Sequence, residues 1–184
     1  MHPLISLLDR SIEPQDVEYQ WLISKWLGDI GIAKTEDALV TKAFSDCIYH
    51  NFDALGLSFC FDISASEPRK PLLGAIHIFS GRRQTSISPF ASERTSVPVP
   101  KRTPKLPATL SKELLPYNLS LSTTLQECVK MFAPTEPEKG GGGQGIGPGI
   151  WIRYPQHGLT AEFAGRTWTD GDLQWTEITL ERAK

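Results

Sequence analysis

The stretch GIWIRYPQHGLTAEF, residues 149–163, decides the fold of this chain. Two apolar segments, GIWIRY and LTAEF, flank the tetrapeptide PQHG, whose proline and glycine are typical of a turn. Apolar and polar side chains alternate along both segments, as they do on a strand with one buried face. The stretch therefore predicts two strands of an antiparallel sheet, with one face hidden and the other displayed.

A similar order of elements occurs twice along the chain. Before the stretch, TTLQECVKMF (residues 123–132) predicts a helix in which Thr124 and Glu127 have capping-box spacing, and LQWTEITL (173–180) predicts a third strand after it. Earlier, TEDALVTKAF (35–44) predicts a helix, and CIYHNF, LSFCFDI and LLGAIHIF predict three strands. Because LSFCFD aligns with LTAEFA and GAIHIF with TEITL, we expect an α+β fold of two related helix–three-strand units with antiparallel sheets.

Two further segments complete the predicted organisation. Residues 1–34 form an N-terminal helical segment, in which seven apolar residues have roughly helical spacing: Val17, Trp21, Leu22, Ile23, Trp26, Leu27 and Ile30. Residues 35–80 form the first unit, 81–114 a Pro/Ser-rich basic crossover, and 115–184 the second unit. The crossover has seven basic residues and one acidic residue between positions 81 and 112, and its five prolines argue against regular structure.

Composition excludes several classes of protein. The chain has 184 residues, 40% of them hydrophobic and 22% charged, with a net charge of −2, so it has no overall bias toward nucleic acid or an anionic membrane. We expect no secretory signal and no membrane span, because the apolar run near the start is too short for either. Cys47, Cys60 and Cys128 are odd in number and lie in apolar segments, which favours free thiols and a cytoplasmic location.

The second unit resembles a known module. The run LPYNLSLSTTLQECVKMFAPTEPEKGGGG (115–143), followed by IWIRYPQHGLTAEF and LQWTEITL, is similar to the helix-plus-sheet module of the β-lactamase-inhibitor-protein family and of the small lipoprotein of outer-membrane assembly; some immunity-type proteins look similar too. The chain departs from the module by its long basic crossover and its N-terminal Trp-rich helix, and we expect no lipoprotein signal. The resemblance implies a protein-binding role on the open face of a sheet.

Cofactor sites are not indicated by the sequence. The glycine run EKGGGGQGIGPG (138–149) follows a helix and precedes a strand, whereas a phosphate-binding loop follows a strand and precedes a helix, so we expect a flexible connector. No histidine or cysteine pair has metal-ligand spacing, and we expect neither a metal nor another cofactor. The basic crossover has one aromatic residue, Phe90, to stack on bases, so nucleic acid is not an expected partner.

The outward residues of the second unit form the first candidate site. If Ile150, Ile152 and Tyr154 point inward, the opposite face presents Trp151, Arg153, Glu162, Trp175 and Glu177. Large aromatic side chains beside an arginine are typical of binding hot spots. The alternative is that a helix covers the tryptophans as ordinary core. The first hypothesis is a non-catalytic, inhibitor- or immunity-like protein that binds another protein, or a second copy of itself, through this face.

A small cofactor-independent enzyme is the alternative hypothesis. An isomerase, cyclase or hydrolase would use His77, Cys60 or Glu162 as acid, base or nucleophile in an apolar pocket between sheets, and it would take a small apolar ligand. A closed pocket of at least roughly 300 Å³ containing one of these side chains would favour the enzyme, and an open sheet would favour the binding protein.

Overall fold

The computed structural model describes residues 2–9, 12–64, 70–81, 104–142, 149–165, 167–169 and 172–183. Within these residues the helices are α1 (Pro3–Asp9), α2 (Val17–Asp29), α3 (Ser111–Leu114) and α4 (Leu125–Met131). The strands are β1 (Val40–Ala43), β2 (Cys47–Phe52), β3 (Leu57–Asp62), β4 (Leu72–Phe79), β5 (Glu138–Gly140), β6 (Ile150–Tyr154), β7 (Leu159–Phe163) and β8 (Trp175–Glu181). The α+β class is confirmed.

All eight strands belong to one antiparallel sheet, so the prediction of separate sheets is wrong. Their spatial order is β1-β2-β3-β4-β8-β7-β6-β5. Four strands from each half of the chain therefore lie side by side, and the two groups meet where β4 pairs with β8. Strand β8 can join the two groups because its apolar residues continue the apolar face of β4. Ile178 and Leu180 lie on the same face as Ile76 and Ile78.

The helices pack on one face of the sheet, called here the covered face. Tyr19 of α2 contacts Phe59 and Phe61 of β3 edge to face, and Phe132 after α4 packs on Tyr154 of β6. Side chains of this face from both halves are exposed by 1% or less: Phe52, Leu57, Phe59, Phe61, Leu73, Ile76, Ile78, Ile150, Ile152, Tyr154, Leu159, Ala161, Phe163, Trp175, Ile178 and Leu180. Burial of this apolar layer is the main stabilising contribution to the fold.

Each half of the sheet contains four strands where three were expected. The segment TEDALVTKAF is not a helix: its first residues form turns, and Val40–Ala43 form β1, which pairs with β2. Val40 and Thr41 are β-branched, and β-branched residues favour a strand over the helix that was expected here. In the second half, Glu138–Gly140 form β5 against β6, so the start of the glycine run is an edge strand. Residues 143–148 of that run lie outside the described residues.

The same turn joins β2 to β3 and β6 to β7. A three-residue 3-10 helix, Asp53–Leu55 or Pro155–His157, is followed by a glycine in the left-handed conformation, with φ of 62° at Gly56 and 58° at Gly158. A Cβ at Gly56 would lie 2.2 Å from the backbone nitrogen of Leu106, and one at Gly158 would lie 2.1 Å from the carbonyl oxygen of Glu181. Both positions therefore require glycine for conformation and for space.

The helical predictions hold in part. Helix α2 forms, but Val17 is 83% exposed and Trp21 is 61% exposed, whereas Tyr19 is buried, so the buried stripe is rotated from the predicted one. The capping box of Thr124 and Glu127 is confirmed: the Glu127 backbone N–H donates to Thr124 Oγ1, and the Thr124 backbone N–H donates to Glu127 Oε2.

The predicted crossover is described only at its two ends. Residues 82–103 lie outside the described residues. At the C-terminal end of the predicted crossover, Lys105 forms a β-bridge with Ser80, and the Leu106 backbone N–H donates to the Phe79 carbonyl. Leu106 and Leu110 are buried, and α3 follows them. The end of the predicted crossover, from Lys105, is therefore part of the core.

Candidate interaction face

The side of the sheet opposite the helices, called here the outer face, carries the polar and aromatic residues that alternate with the core. Strand registers place on it side chains from seven adjacent strands: Lys42, Tyr49, Asn51, Ser58, Cys60, His77, Phe79, Glu177, Thr179, Glu181, Thr160, Glu162, Trp151 and Arg153. Most of them are partly exposed. This face is therefore the candidate interaction face.

A recess of about 390 Å³ lies on the half of the outer face formed by β1 to β4. Its lining, called here the aromatic recess, consists of Lys42, Phe44, Tyr49, Asn51, Ser58, His77 and Phe79. The Tyr49 ring lies edge-on to Phe44 at 5.9 Å between centroids and 6.1 Å from the His77 ring, which stacks on Phe79 with an interplanar angle of 13°. These rings form one contiguous aromatic surface.

The floor of the aromatic recess is polar and internally bonded. Ser58 Oγ donates to Asn51 Oδ1 at 2.7 Å, and Asn51 Nδ2 donates to the carbonyl of Val40 at 3.1 Å. These two bonds satisfy and orient the Asn51 amide in the lining of the recess.

His77 connects the aromatic recess to the other half of the outer face, which is formed by β5 to β8 and is called here the charged half. Its Nδ1 lies 2.7 Å from Glu177 Oε1 and 3.2 Å from Thr179 Oγ1. His77 and Thr179 are register partners on β4 and β8, so the contact crosses the strand pair that joins the two halves. An imidazole held by a carboxylate and a hydroxyl is fixed in orientation, which also fixes the Phe79 ring stacked on it.

The charged half is organised around Arg153. Its guanidinium donates to Glu181 Oε2 at 3.0 Å and lies 3.9 Å from Glu138 Oε2. Trp151, two residues earlier on the same strand, packs over β5, where a Cβ at Gly140 would lie 2.2 Å from Cζ2 of the indole. Glu162 and Glu177 are direct register partners on β7 and β8. Four of the five predicted binding residues thus lie together on the outer face.

Trp175 does not belong to the outer face, and the prediction that it points outward is wrong. It is 1% exposed, lies opposite Phe163 on the covered face, and its indole N–H donates to the carbonyl of Ser120 at 2.8 Å. The register shifts between Glu162 and Phe163, so that Thr176 is an extra residue on β8. This bulge reverses the alternation, which a sequence pattern of period two does not reveal. Trp175 is therefore a core residue, as the alternative predicts, and its indole contacts Ser120 in the segment before α4.

The structure does not bring the candidate catalytic residues together. Cys60 lies opposite Ala75, whereas His77 lies opposite Ser58, and the Cys60 thiol contacts Asp62 Oδ1 at 3.9 Å. Burial raises the pKa of Cys60 to about 11, so its thiol is protonated at neutral pH and a weak nucleophile. Glu162 is three strands from Cys60. Cys47, Cys60 and Cys128 are free thiols.

The described residues contain no group of three or more histidine, cysteine, aspartate or glutamate side chains able to hold a metal ion. Among the helices of the described ranges, none combines the length and apolar character needed to cross a membrane.

Phe44, Tyr49 and Phe79 were not among the predicted site residues. Phe44 lies in a segment that the sequence predicts as a helix and that does not form one, and Tyr49 and Phe79 lie in segments predicted only as strands. The available signal is the alternation of Tyr49 and Phe79 with apolar residues of the covered face. These are the partly buried Ile48 and the buried Phe52 on β2, and the buried Ile76 and Ile78 on β4.

Comparison with protein-family models, with curated proteins and with solved structures finds no match to this chain. The resemblance to inhibitor- and immunity-type modules therefore depends on the quoted residues alone.

Proposed function

We propose that this protein is a non-catalytic binding protein, inhibitor- or immunity-like, which captures another protein on the outer face of its sheet. The observation that carries the proposal is the contrast across one sheet: the covered side is filled by helices, while the opposite side carries aromatic and ion-paired side chains over seven strands. Clustered rings that pack on one another, around a His77 imidazole held by hydrogen bonds, lose little conformational freedom on binding, so they suit a docking surface.

The enzyme alternative has weaker support. It required a closed pocket between two sheets, but there is a single sheet, and the recess that contains His77 opens to solvent. The proposed partner is a protein; a second copy of this chain is an outcome that the test below distinguishes. The three free thiols are consistent with the cytoplasmic location that we include in the proposal.

We also propose that the outer face arose from two copies of one unit. Several features support this: the mirrored strand order, the helices that precede each strand group, the matching 3-10 turns that end at Gly56 and Gly158, and register shifts on β3 and β7. Two copies placed side by side would double the area of a single binding face without a new fold, and a wide face suits a protein partner.

The test compares two aromatic residues of the outer face with one exposed tryptophan on α2. Trp151→Ala and Tyr49→Ala alter the outer face, whereas Trp21→Ala removes a 61% exposed indole from α2 and is the matched control. Partners captured from an extract of the source cells by the unaltered protein are identified, purified and measured for binary affinity. We expect Tyr49→Ala and Trp151→Ala each to weaken binding at least about 10-fold and Trp21→Ala to leave it unchanged.

The proposal would be contradicted if all three variants bound the purified partner as tightly as the unaltered protein, or if only Trp21→Ala lost binding. Circular dichroism of each variant confirms that the fold is retained. Light scattering of the unaltered protein and of each variant reports whether the captured partner is a second copy of this chain.

A further inference from the structure

Strand β1 forms one of the two edges of the sheet. The Phe44 backbone N–H donates to the Cys47 carbonyl, and this pair continues the β1–β2 register beyond Ala43. In an antiparallel pair, every second position exchanges backbone hydrogen bonds with its partner. Because Phe44 is such a position, Lys42 is one too, and both direct their backbone groups toward β2. Thr41 and Ala43 therefore direct theirs toward the free edge.

The free edge of β1 is open to pairing. No residue of the described ranges forms a hydrogen bond with the backbone of Thr41 or Ala43, and both residues are exposed. Strand β1 has no proline, its register on β2 has no bulge, and Lys42 is its one charged residue. At the other edge, β5 has two charged residues and a glycine in three positions, which protect an edge against pairing. An added strand is therefore expected at β1 rather than at β5.

The outer-face side chains of β1 place a cation between two apolar groups. Val40 and Phe44, which flank Lys42 on this face, are 49% and 42% exposed. Lys42 and Phe44 also line the aromatic recess, which has no carboxylate among its described lining residues. Lys42 forms no ion pair with any residue that the structure describes. A strand added here would thus gain from an acidic residue opposite Lys42, since opposite charges across a strand pair attract.

A second copy of β1 does not fit this edge. Antiparallel pairing that uses all the free backbone groups would place Thr41 of each chain opposite Ala43 of the other. The two Lys42 side chains would then lie directly opposite each other, at a non-hydrogen-bonded position, where side chains are closest. Like charges at such a position are destabilising, so the edge favours a different chain with the opposite charge.

We infer that the protein partner adds an extended segment to β1 as a further antiparallel strand, with an acidic residue opposite Lys42 and an apolar residue two positions to either side. The apolar residues lie opposite Val40 and Phe44. Backbone hydrogen bonds to Thr41 and Ala43 supply affinity, and the alternate side chains supply specificity. The inference rests on the proposed function, since it identifies the part of the partner that reaches the outer face beside the aromatic recess.

The experiment titrates the full chain with the peptide acetyl-Ser-Val-Thr-Glu-Thr-Tyr-Ser-amide at low salt and follows backbone amides by NMR. In the inferred register its glutamate lies opposite Lys42, and its two threonines lie opposite Ala43 and Thr41. We expect millimolar binding with downfield shifts of the Thr41 and Ala43 amide protons, which acquire acceptors.

Two N-methylated peptides provide the matched comparison. Methylation of both threonine nitrogens removes the donors that face β1 and should weaken binding at least about 10-fold. Methylation of the glutamate and tyrosine nitrogens, which point away from β1, removes as many donors and should leave binding unchanged. Equal binding of the two methylated peptides, or shifts confined to strands other than β1, would overturn the inference.

Variants of the chain locate the added strand. Lys42→Glu should weaken binding of the glutamate peptide at least about fivefold and strengthen binding of the same peptide with lysine in place of glutamate. Lys139→Glu makes the same change of charge on β5 and should leave both affinities unchanged. Thr41→Pro removes a donor that β2 does not use, so the circular dichroism should be retained while peptide binding is lost. Unchanged binding of the glutamate peptide by Lys42→Glu would also overturn the inference.

Failure of this inference and failure of the proposed function give different results. If the peptide does not bind and Thr41→Pro keeps the purified partner, but Tyr49→Ala and Trp151→Ala lose it, the added strand is wrong and the binding face stands. If Tyr49→Ala and Trp151→Ala keep the partner, the proposed function itself is wrong.

Discussion

The two faces of the sheet are made from alternate residues of the same eight strands, yet they use those residues differently. On the covered face, sixteen side chains are exposed by 1% or less and form a continuous apolar layer beneath the helices. On the outer face, rings, carboxylates and an arginine make contacts across strands and remain partly exposed. The comparison separates stability from recognition: the first face should determine whether the chain folds, and the second what it binds.

Two tryptophans on opposite faces give the largest expected difference. Trp175→Ala would leave a cavity in the covered face and an unpaired Ser120 carbonyl, so the free energy of unfolding should fall by about 3–5 kcal/mol. Trp151→Ala, on the outer face, should cost less than about 1.5 kcal/mol because its ring is partly solvated. Urea unfolding of both variants measures this, and comparable losses would remove the distinction between the faces.

Two glycines sharpen the comparison at the backbone. Gly56→Ala forces a left-handed residue against the backbone of Leu106 and should cost about 2 kcal/mol or more. At Gly140→Ala the atoms nearest the new methyl group belong to the Trp151 indole, a side chain that can move, so the substitution should cost less than about 1 kcal/mol while weakening binding at the outer face. Urea unfolding and partner affinity of the two variants should therefore rank them in opposite order, and the same order in both assays would contradict this prediction.

A hydroxyl on the covered face gives a smaller effect of opposite sign. No described residue forms a hydrogen bond with the buried Oη of Tyr154, and burial raises the pKa of Tyr154 to about 12. Tyr154→Phe removes a buried polar atom while keeping the ring on Phe132, so it should raise the free energy of unfolding by about 1 kcal/mol. A thermal-denaturation midpoint lower than that of the unaltered protein would show that the hydroxyl is bonded.

A histidine on the covered face gives the smallest predicted effect. His50 Nδ1 lies 3.1 Å from Tyr19 Oη, and burial lowers the pKa of His50 below its ordinary value of 6.5. The unfolded chain therefore binds a proton more readily, so stability is retained above pH 6.5 and falls as the pH decreases from there toward the pKa of the folded state.

The measurement compares urea midpoints at about pH 7.5 and about pH 5.5. His50→Gln should reduce the loss at the lower pH without abolishing it, because burial also lowers the pKa of His2. A pH dependence identical to that of the unaltered protein would show that His50 does not contribute.

Local patterns in the sequence were enough for much of the fold. The alternation in IWIRY and LTAEF correctly predicts which residues of β6 and β7 are buried, and the spacing of Thr124 and Glu127 predicts the start of α4. Alternation also identifies Trp151, Arg153, Glu162 and Glu177 as neighbours on one face. These features depend on period and short-range spacing, which a sequence contains directly.

Other features depend on pairing between distant residues. The bulge at Thr176 that turns Trp175 inward is set by its partners on β7, and β1 is a strand because β2 supplies its hydrogen bonds. The aromatic recess combines Phe44, which follows β1, with Tyr49 of β2 and Phe79 of β4, so no short segment of sequence contains it. Its prediction would have required the strand order as well as the strands.

The pairing of β4 with β8 joins residues that are about 100 positions apart in the chain, such as Ile76 and Leu180. Hairpins connect the strands within each group of four. The β4–β8 pairing, called here the seam, has to form after a long loop closes. A second molecule could supply either side of the seam with identical contacts, so an exchange of halves between two chains would preserve every hydrogen bond across it. Concentrated refolding should therefore yield swapped dimers that dilution separates slowly, because separation requires the seam to open.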